Sequence, residues 1–349
     1  MTHTVPTSTL NGLLNSAGNI CIVSHLHPDG DAVGSCIAMC SYLSSTGRNA
    51  TVVLPTRWPE QLDFITCGMP VLCHEDDADA AAAVIRSCDL LICLDFNTMS
   101  RSGSMEDMLR DICVPKVLID HHLDPERDSF TLCISDTQVS SACELLYRVL
   151  TSMPDVDGAA SRLPERCTTA LMTGMTTDTN NFANSVFPGT LDMAASLLAA
   201  GVDRDMILGH LYNEYRRNRI EAMGFLLSER LRFNDCGVAY MVMTREDLER
   251  FDLKDGETEA FVNIPLAVKD VNYSLFLKED KGFFRVSIRS KRGYSANRMA
   301  RQFFNGGGHE QAAGGRLHFP GDINDRSEAE QYIANVTARF VQESQPSKE

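Results

Sequence analysis

The sequence predicts an α/β protein of two domains, the first built on a doubly wound, mostly parallel sheet. Three observations predict it. Short apolar runs rich in Ile, Val and Leu recur through the first third of the chain: NICIVSH (19–25), ATVVLP (50–55), DLLICLD (89–95) and KVLIDHH (116–122). Stretches with helical character separate these runs, and buried strands alternating with helices argue for an open parallel sheet covered on both faces. The length, 349 residues, exceeds one domain of ordinary size.

The elements follow in order. A helix is predicted from Val33 to Ser44 and another over the Ala-rich stretch Asp77 to Arg86. Residues 129–135 add a further strand. From about 140 to 210 the pattern is mostly helical, with a break at Pro154–Gly158. LDMAASLLAAGVD (191–203) reads as one helix ended by Gly201, a residue suited to the left-handed turn that closes helices. A second region follows. GVAYMVM (237–243), NYSLFLKE (272–279) and GFFRVSIRS (282–290) read as strands, and SANRMARQFF (295–304) as a helix capped by Ser295. A closing helix is expected over 326–342, with the last few residues frayed. The expected domains are 1–205 and 215–345, joined near 205–215, although the pattern alone allows a boundary from 190 to 230.

Composition narrows the class. The hydrophobic fraction is 44%, enough for two packed cores. No apolar run reaches the length of about 18 residues that a membrane span needs, and MTHTVPTSTLNGLL has no basic segment followed by an apolar one. A cytoplasmic protein without a membrane partner is the default expectation. Twelve cysteines occur without a CxxC pair, mostly inside apolar runs, where free cysteine acts as a small hydrophobe. The net charge of −15 argues against tight binding of long duplex DNA. Against that background, Lys281 to Arg301 holds seven basic residues and no acidic one. Such a run is either a solvated face or an anion-binding surface.

The chemistry-bearing residues are placed by the strands. The first run ends in HLHPDGD, which supplies His25, Asp29 and Asp31. The third run ends at Asp95, and the fourth at Asp120, His121 and His122. In open α/β sheets ligands bind beyond the carboxyl ends of the strands, so these side chains should converge in one crevice. Pro28 stops the first strand and Asp29-Gly30 makes a turn, with Gly34 and Ser35 where the backbone turns closely into the next helix. TTDTNNF (176–182) offers Asp178 as a further contributor. Taken singly, each of these is weak. An aspartate after a strand commonly caps the next helix, and paired histidines can lie on the surface. Their order and shared placement argue for a metal site.

These segments resemble the ordered motifs of the DHH phosphoesterase family, which includes RecJ-type nucleases, family II pyrophosphatases and nano-RNase/pAp phosphatases. DFNTMSRSG (95–103) is similar to the family's D-x-x-x-x-x-R-x-G stretch, and SSACELLY (140–147) to the helix after the DHH motif. GGGHEQAAGG (306–315) resembles the signature of the DHH-associated C-terminal domain. The resemblance covers nearly the whole chain. It implies a smaller α/β C-terminal domain with a mixed sheet and an active site in the cleft between the domains. It implies two divalent ions, manganese foremost, with magnesium or cobalt as alternatives. His25 and Asp29 would bind the first ion, Asp31, His121 and Asp178 the second, and Asp95 both. Asp120 would orient His121, and His122 would face the substrate phosphate or the leaving oxygen. Relatives commonly have Gly where this chain has Asn180, and Asn also tolerates the left-handed conformation that such a turn needs.

In the same resemblance Arg289, Gly307, Gly308 and His309 contact the substrate. Family II pyrophosphatases carry a different second domain, which argues against inorganic pyrophosphate. The expected substrates are short oligoribonucleotides, linear dinucleotides and 3′-phosphoadenosine 5′-phosphate (pAp). Two alternatives stand beside this reading: an exopolyphosphatase or other non-nucleotide phosphatase, and an inactive nucleotide-binding regulator. A homodimer is compatible with the sequence.

Overall fold

A computed structural model describes residues 7–254 and 256–344. The expected fraying of the last few residues therefore lies outside the described residues. The chain forms two compact units, Met1–Glu214 and Tyr215–Glu349.

Among the described residues the first unit holds six strands: β1 (Asn19–Val23), β2 (Asn49–Leu54), β3 (Val71–Cys73), β4 (Leu90–Leu94), β5 (Lys116–Asp120) and β6 (Leu132–Ser135). They lie in the order β3-β2-β1-β4-β5-β6, and every neighbouring pair is parallel. Alternate residues explain why these strands read as continuous apolar runs. Ile20 and Ile22 enter the core on one face, with Ile92 and Ile119, while Cys21 and Val23 join Cys93 and Leu118 on the other. A strand buried on both faces has no polar position to spare. The short β3 was not anticipated; it is partly exposed and three residues long.

Strand order fixes where the site forms. The chain winds outward from β1 to β2 and β3, then returns to place β4 on the other side of β1. Val23 pairs with Cys93 at the carboxyl ends of β1 and β4, so His25 and Asp95 leave the sheet side by side at the point where strand order reverses. β5 lies next to β4 and delivers Asp120 to His122.

Two helices bring in the remaining aspartates. Gly30–Ser45 and Glu165–Asp178 cross at very close range. Gly34 lies inside the first of these helices, and the expected turn into the helix comes earlier, at Asp29-Gly30. Its lack of a side chain is needed for another reason. A Cβ at Gly34 would stand 2.7 Å from the Ala170 carbonyl oxygen and 3.1 Å from the Gly174 Cα, and one at Gly174 would strike the Cys143 thiol. This crossing carries Asp31 at one end and Asp178 at the other partner's end.

The second unit has strands β7 (Arg232–Phe233), β8 (Val238–Met243), β9 (Tyr273–Asp280), β10 (Phe283–Ser290), β11 (Gly307–Gly308) and β12 (Ala312–His318). Their order is β11-β12-β10-β9-β8-β7. β8 and β9 run parallel and the other pairs antiparallel, so the sheet is mixed. Helices Ala296–Phe303 and Ala329–Ser344 cover one face through Met299, Ala300, Ile333 and Phe340. Ser295 caps the first of them, accepting from the Arg298 N–H.

None of the twelve cysteines is disulfide-bonded, and most are buried as small apolar side chains. Among the described residues no helix is long and apolar enough to cross a membrane.

Two glycine substitutions should move stability in opposite directions. Gly34→Ala overpacks the helix crossing and should destabilise the protein by about 1–3 kcal/mol in urea unfolding. Gly12→Ala, on the exposed side of helix Thr7–Ser16 with nothing near its Cβ, should stabilise it by about 0.5–1 kcal/mol. A neutral Gly34→Ala would show that the helix crossing yields.

Candidate metal centre

The site is built on Asp95. β4 ends at Leu94, and Asp95 follows in a left-handed conformation, φ 61°. Such a conformation is uncommon for a residue with a side chain, though aspartate tolerates it better than most. Asp95 is 2% exposed. Its two carboxylate oxygens face two different groups. Oδ2 lies 3.5 Å from His25 Nε2, and Oδ1 lies 3.4 Å from His121 Nε2. Oδ1 is fully buried, and among the described residues no well-aligned donor reaches it. A buried carboxylate oxygen without a donor costs free energy unless something else satisfies it.

Around each oxygen stands a set of donors. His25, Asp29 and Asp95 bring ligand-type atoms within 4.8 Å of one another, and so do Asp31, Asp95 and His121. Asp178 Oδ2 lies 3.7 Å from His121 Nε2, as does Asp31 Oδ2. Asp120 and His122 group with Asp95 as well, so all eight first-unit residues expected at the site are brought together. The His25 ring is oriented by its Nδ1, 3.0 Å from the Leu26 carbonyl, which leaves Nε2 for the centre.

Asp31 is held by a device that the sequence reading missed. Its Oδ2 accepts from the Ala142 N–H at 2.6 Å and its Oδ1 from the Cys143 N–H at 2.9 Å. These are the first residues of helix Ala142–Thr151, whose unsatisfied N–H groups favour an anion. Ser141 caps this helix by accepting from the Glu144 N–H, and Ser141 to Glu144 is a readable helix-start signal. Such a signal marks a helix start and says nothing of the acid that sits on it.

Asp178 occupies the last turn of helix Glu165–Asp178, where the helix dipole disfavours a carboxylate. The chain then reverses. Asn180 has φ 46°, its N–H donates to the Thr177 carbonyl, and the Asn181 N–H donates to the Thr176 carbonyl. This double bond pattern with a left-handed residue is a Schellman cap. Asn180 takes the position usually given to Gly, as its tolerance of positive φ suggested.

One expectation is corrected. Asp120 was expected to orient His121, yet its Oδ1 lies 2.7 Å from His122 Nδ1 and its Oδ2 accepts the His122 N–H. The carboxylate folds back onto the residue two places on, a local pattern open to any aspartate. His121 instead faces Asp31, Asp95 and Asp178. Asp29 also does more than was expected: its Oδ1 accepts the N–H groups of Asp31 and Ala32 and caps helix Gly30–Ser45.

Electrostatics show what the donors require. Burial pushes the Asp31 carboxyl well above its usual range, and the charges of Asp95 and Asp178 push it further. Burial also opposes ionisation of Asp95, but the neighbouring imidazoles of His121 and His25 outweigh it and hold its carboxyl well below the usual range. Burial lowers the His121 pKa, yet Asp95, Asp178 and Asp31 lift it to about 10. With protein groups alone, the crowded carboxylates favour proton uptake, at the Asp31 carboxyl and at the His121 imidazole. Divalent cations would supply the positive charge directly, and the mixed carboxylate and imidazole donors suit them. Burial lowers the His122 pKa, and the charge of Arg101 lowers it further. Arg101 lies in the quoted 95–103 motif, but the sequence reading gave it no role.

The residues expected to contact substrate lie in the second unit. Gly307 and Gly308 pair with Gly314 and Ala313, and the His309 N–H donates to the Ala312 carbonyl. A Cβ on Gly306 would collide with the Gly314 carbonyl, whereas one on Gly307 would meet nothing closer than Arg301 Nε at 3.7 Å. Arg289 lies on the outward face of β10, two residues from Ser287 and four from Arg285. Arg285 is already paired with Asp280.

The chain matches the DHH family, N-terminal domain, over residues 19–175 and the DHHA1 domain over residues 235–335. It is 26% identical to the probable bifunctional oligoribonuclease and PAP phosphatase NrnA of Streptococcus mutans, over 88% of this chain and 92% of that protein. It is 28% identical to the bifunctional oligoribonuclease and PAP phosphatase NrnA of Thermus thermophilus, over 86% and 84%. Its structure matches the crystal structure of an exopolyphosphatase-related protein from Bacteroides fragilis with a TM-score of 0.88 and 33% identity, covering 96% of each chain. With both domains matched in order, and a relative one-third identical over almost its full length, the chain belongs to the DHH family and carries a DHHA1 domain after its DHH domain.

Proposed function

We propose that this DHH-family enzyme hydrolyses phosphoester bonds of short nucleotides: oligoribonucleotides of a few residues, linear dinucleotides and pAp. The observation that carries the reading is the Asp95 carboxylate, buried, with one oxygen toward His25 and the other toward His121. A carboxylate shared by two donor sets is what a pair of divalent ions needs. His25, Asp29 and Asp95 would hold one ion, and Asp31, Asp95, His121 and Asp178 the other. Manganese fits this donor set best, with magnesium and cobalt as alternatives. Such a pair supplies an activated water and polarises the phosphoryl oxygen.

The protein's own groups do the rest. The N–H groups of Ala142 and Cys143 hold the Asp31 carboxylate in place. Asp120 fixes the His122 ring through Nδ1, so that Nε2 can meet a phosphate or a leaving oxygen. In hydrolysis water adds to phosphorus, the P–O bond to the leaving group breaks, and the leaving oxygen takes a proton. In the second unit, Arg289 and the Gly307–His309 segment would bind the part of the substrate beyond the scissile phosphate. Arginine's planar fork suits phosphate oxygens, and Gly307 leaves its face open to a ligand. The NrnA relatives favour nucleotide substrates. The name of the Bacteroides fragilis relative keeps polyphosphate as the second reading. Hydrolysis of pAp, ribodinucleotides, five-mers, cyclic dinucleotides and polyphosphate, each with Mn²⁺, separates the two. Preference for polyphosphate would overturn the nucleotide reading, and no turnover on any of them would favour a binding protein.

Three outcomes test the assignments. Asp95→Ala should abolish turnover and metal binding together, and exhaustive chelation should do the same to the wild-type protein. Full activity in either experiment would exclude the two-ion centre. His122→Ala should keep the metal content measured by mass spectrometry while the rate falls about 10²–10⁴-fold, the range for a general acid–base group. Loss of metal from His122→Ala would reverse the roles of the two histidines. Arg289→Ala should lower kcat/KM for a dinucleotide by about tenfold to a hundredfold, the scale of a charged hydrogen bond. The same variant should barely change hydrolysis of p-nitrophenyl phosphate, and equal losses on both would remove Arg289 from substrate selection.

A further inference from the structure

The segment that follows Asp178 is unusual beyond its helix cap. Asn180, Asn181 and Phe182 are three consecutive residues with side chains at positive φ, 46°, 57° and 65°. One such residue is ordinary at a helix end, but a run of three is not, and a bulky aromatic there is a clear outlier. A strained segment persists only where its surroundings hold it. Part of the hold is internal. The buried Thr179 hydroxyl donates to the Met175 carbonyl and accepts the Phe182 N–H, and the Asn184 N–H reaches the Thr179 carbonyl.

The rest comes from outside the segment: Phe182 packs against the hydrophobic core of the first unit, and one residue of the next helix but one grips the turn. Arg204 donates from its guanidinium to the Asn181 side-chain oxygen and lies over the Phe182 ring, 5.6 Å from its centroid. Arg204 is itself well anchored. It opens helix Arg204–Leu208, which Asp203 caps by accepting the Met206 N–H and which is pinned by the buried Ile207. A single cation thus grips two of the three left-handed residues. The gripped turn begins two residues after Asp178.

We infer that Arg204 is a positioning residue for the metal centre: by clamping the left-handed Asn180–Phe182 turn it fixes the helix end that presents Asp178. The inference rests on the reading of Asp178 as a metal ligand, and it assigns Arg204 no contact with substrate or ion. Removal of the clamp lets the turn relax toward ordinary backbone conformations and loosens the last helical turn. The cost should appear first in metal affinity, since groups that support metal ligands from behind typically contribute about 10–100-fold.

The test is a Mn²⁺ titration of the metal-free protein, by calorimetry or by the electron-spin signal of the free ion, on wild type, Arg204→Ala and Arg204→Lys. Thermal unfolding of the metal-free proteins is measured alongside. Arg204→Ala should weaken one of the two ions by about 10–100-fold, while Arg204→Lys, which keeps a cation and a donor, recovers most of the loss. In a Phe182→Gly background, where one strained side chain is gone, Arg204→Ala should cost less. Wild-type affinity in Arg204→Ala, with only the unfolding temperature lowered, would overturn the inference and leave Arg204 a structural residue. Equal, additive losses in the Phe182→Gly background would also overturn it. Should Arg204→Ala not fold, Arg204→Gln, which retains a donor but no charge, carries the same comparison. If the wild-type protein itself binds no Mn²⁺, the metal reading fails before this one.

Discussion

Charge compensation at one buried point governs this structure. Asp95 and Asp31 are almost completely buried, and Asp29 and Asp178 stand close by. Gathering four carboxylates in such a place is unfavourable by itself, because burial and mutual repulsion both disfavour their charged forms. The fold offers relief at three places. The amino end of helix Ala142–Thr151 gives Asp31 two N–H donors, the amino end of helix Gly30–Ser45 gives Asp29 two more, and imidazoles face Asp95 from both sides. Helix ends are the cheapest positive charge a backbone can provide. They are not enough, as the raised pKa values of Asp31 and His121 show.

The same requirement reaches into the scaffold. Helix Gly30–Ser45 must begin within the site to bring Asp31 there, and helix Glu165–Asp178 must end within it to bring Asp178. Both can do so only if their axes approach closely, which makes Gly34 and Gly174 packing residues of the crossing. Gly30 belongs to the same arrangement, since a Cβ there would run into Thr177. Protein interiors transmit strain because they are closely packed, so a methyl group at this crossing is felt at the carboxylates.

Much of this could be read from the residues, and the parts that could not share a physical reason. Strands β1, β4 and β5 were legible because burial on both faces forces an unbroken apolar run, and their ends then marked His25, Asp95 and Asp120 to His122. β3 escaped notice because a short, partly exposed strand carries too few apolar positions to stand out. Helix Pro188–Ala199 starts three residues before the stretch that looked helical, although Pro188 is a good first helical residue. Side-chain pairings were the least legible. Whether Asp120 turns to His121 or His122 depends on backbone angles just past a strand end, which neighbouring residue types leave open. Gly34 was misread for a related reason. A glycine needed by a distant helix looks the same in sequence as one needed by a local turn.

Asp29 shows why the competing explanations of a residue need not exclude each other. An aspartate after a strand is commonly a helix cap, and Asp29 is one: its Oδ1 takes the N–H groups of Asp31 and Ala32 at 3.0 and 3.1 Å. That same oxygen lies 4.0 Å from His25 Nε2, and the residue belongs to the His25–Asp95 donor set. The cap fixes the carboxylate's orientation, because two N–H groups from the helix start hold one oxygen and leave Oδ2 outside the cap. A side chain held in this way would give up little freedom on taking an ion. Capping is therefore the local means by which the loop after β1 presents a preoriented carboxylate, as the amino end of helix Ala142–Thr151 does for Asp31. In both cases an ordinary rule of helix termini has been turned to the service of the centre.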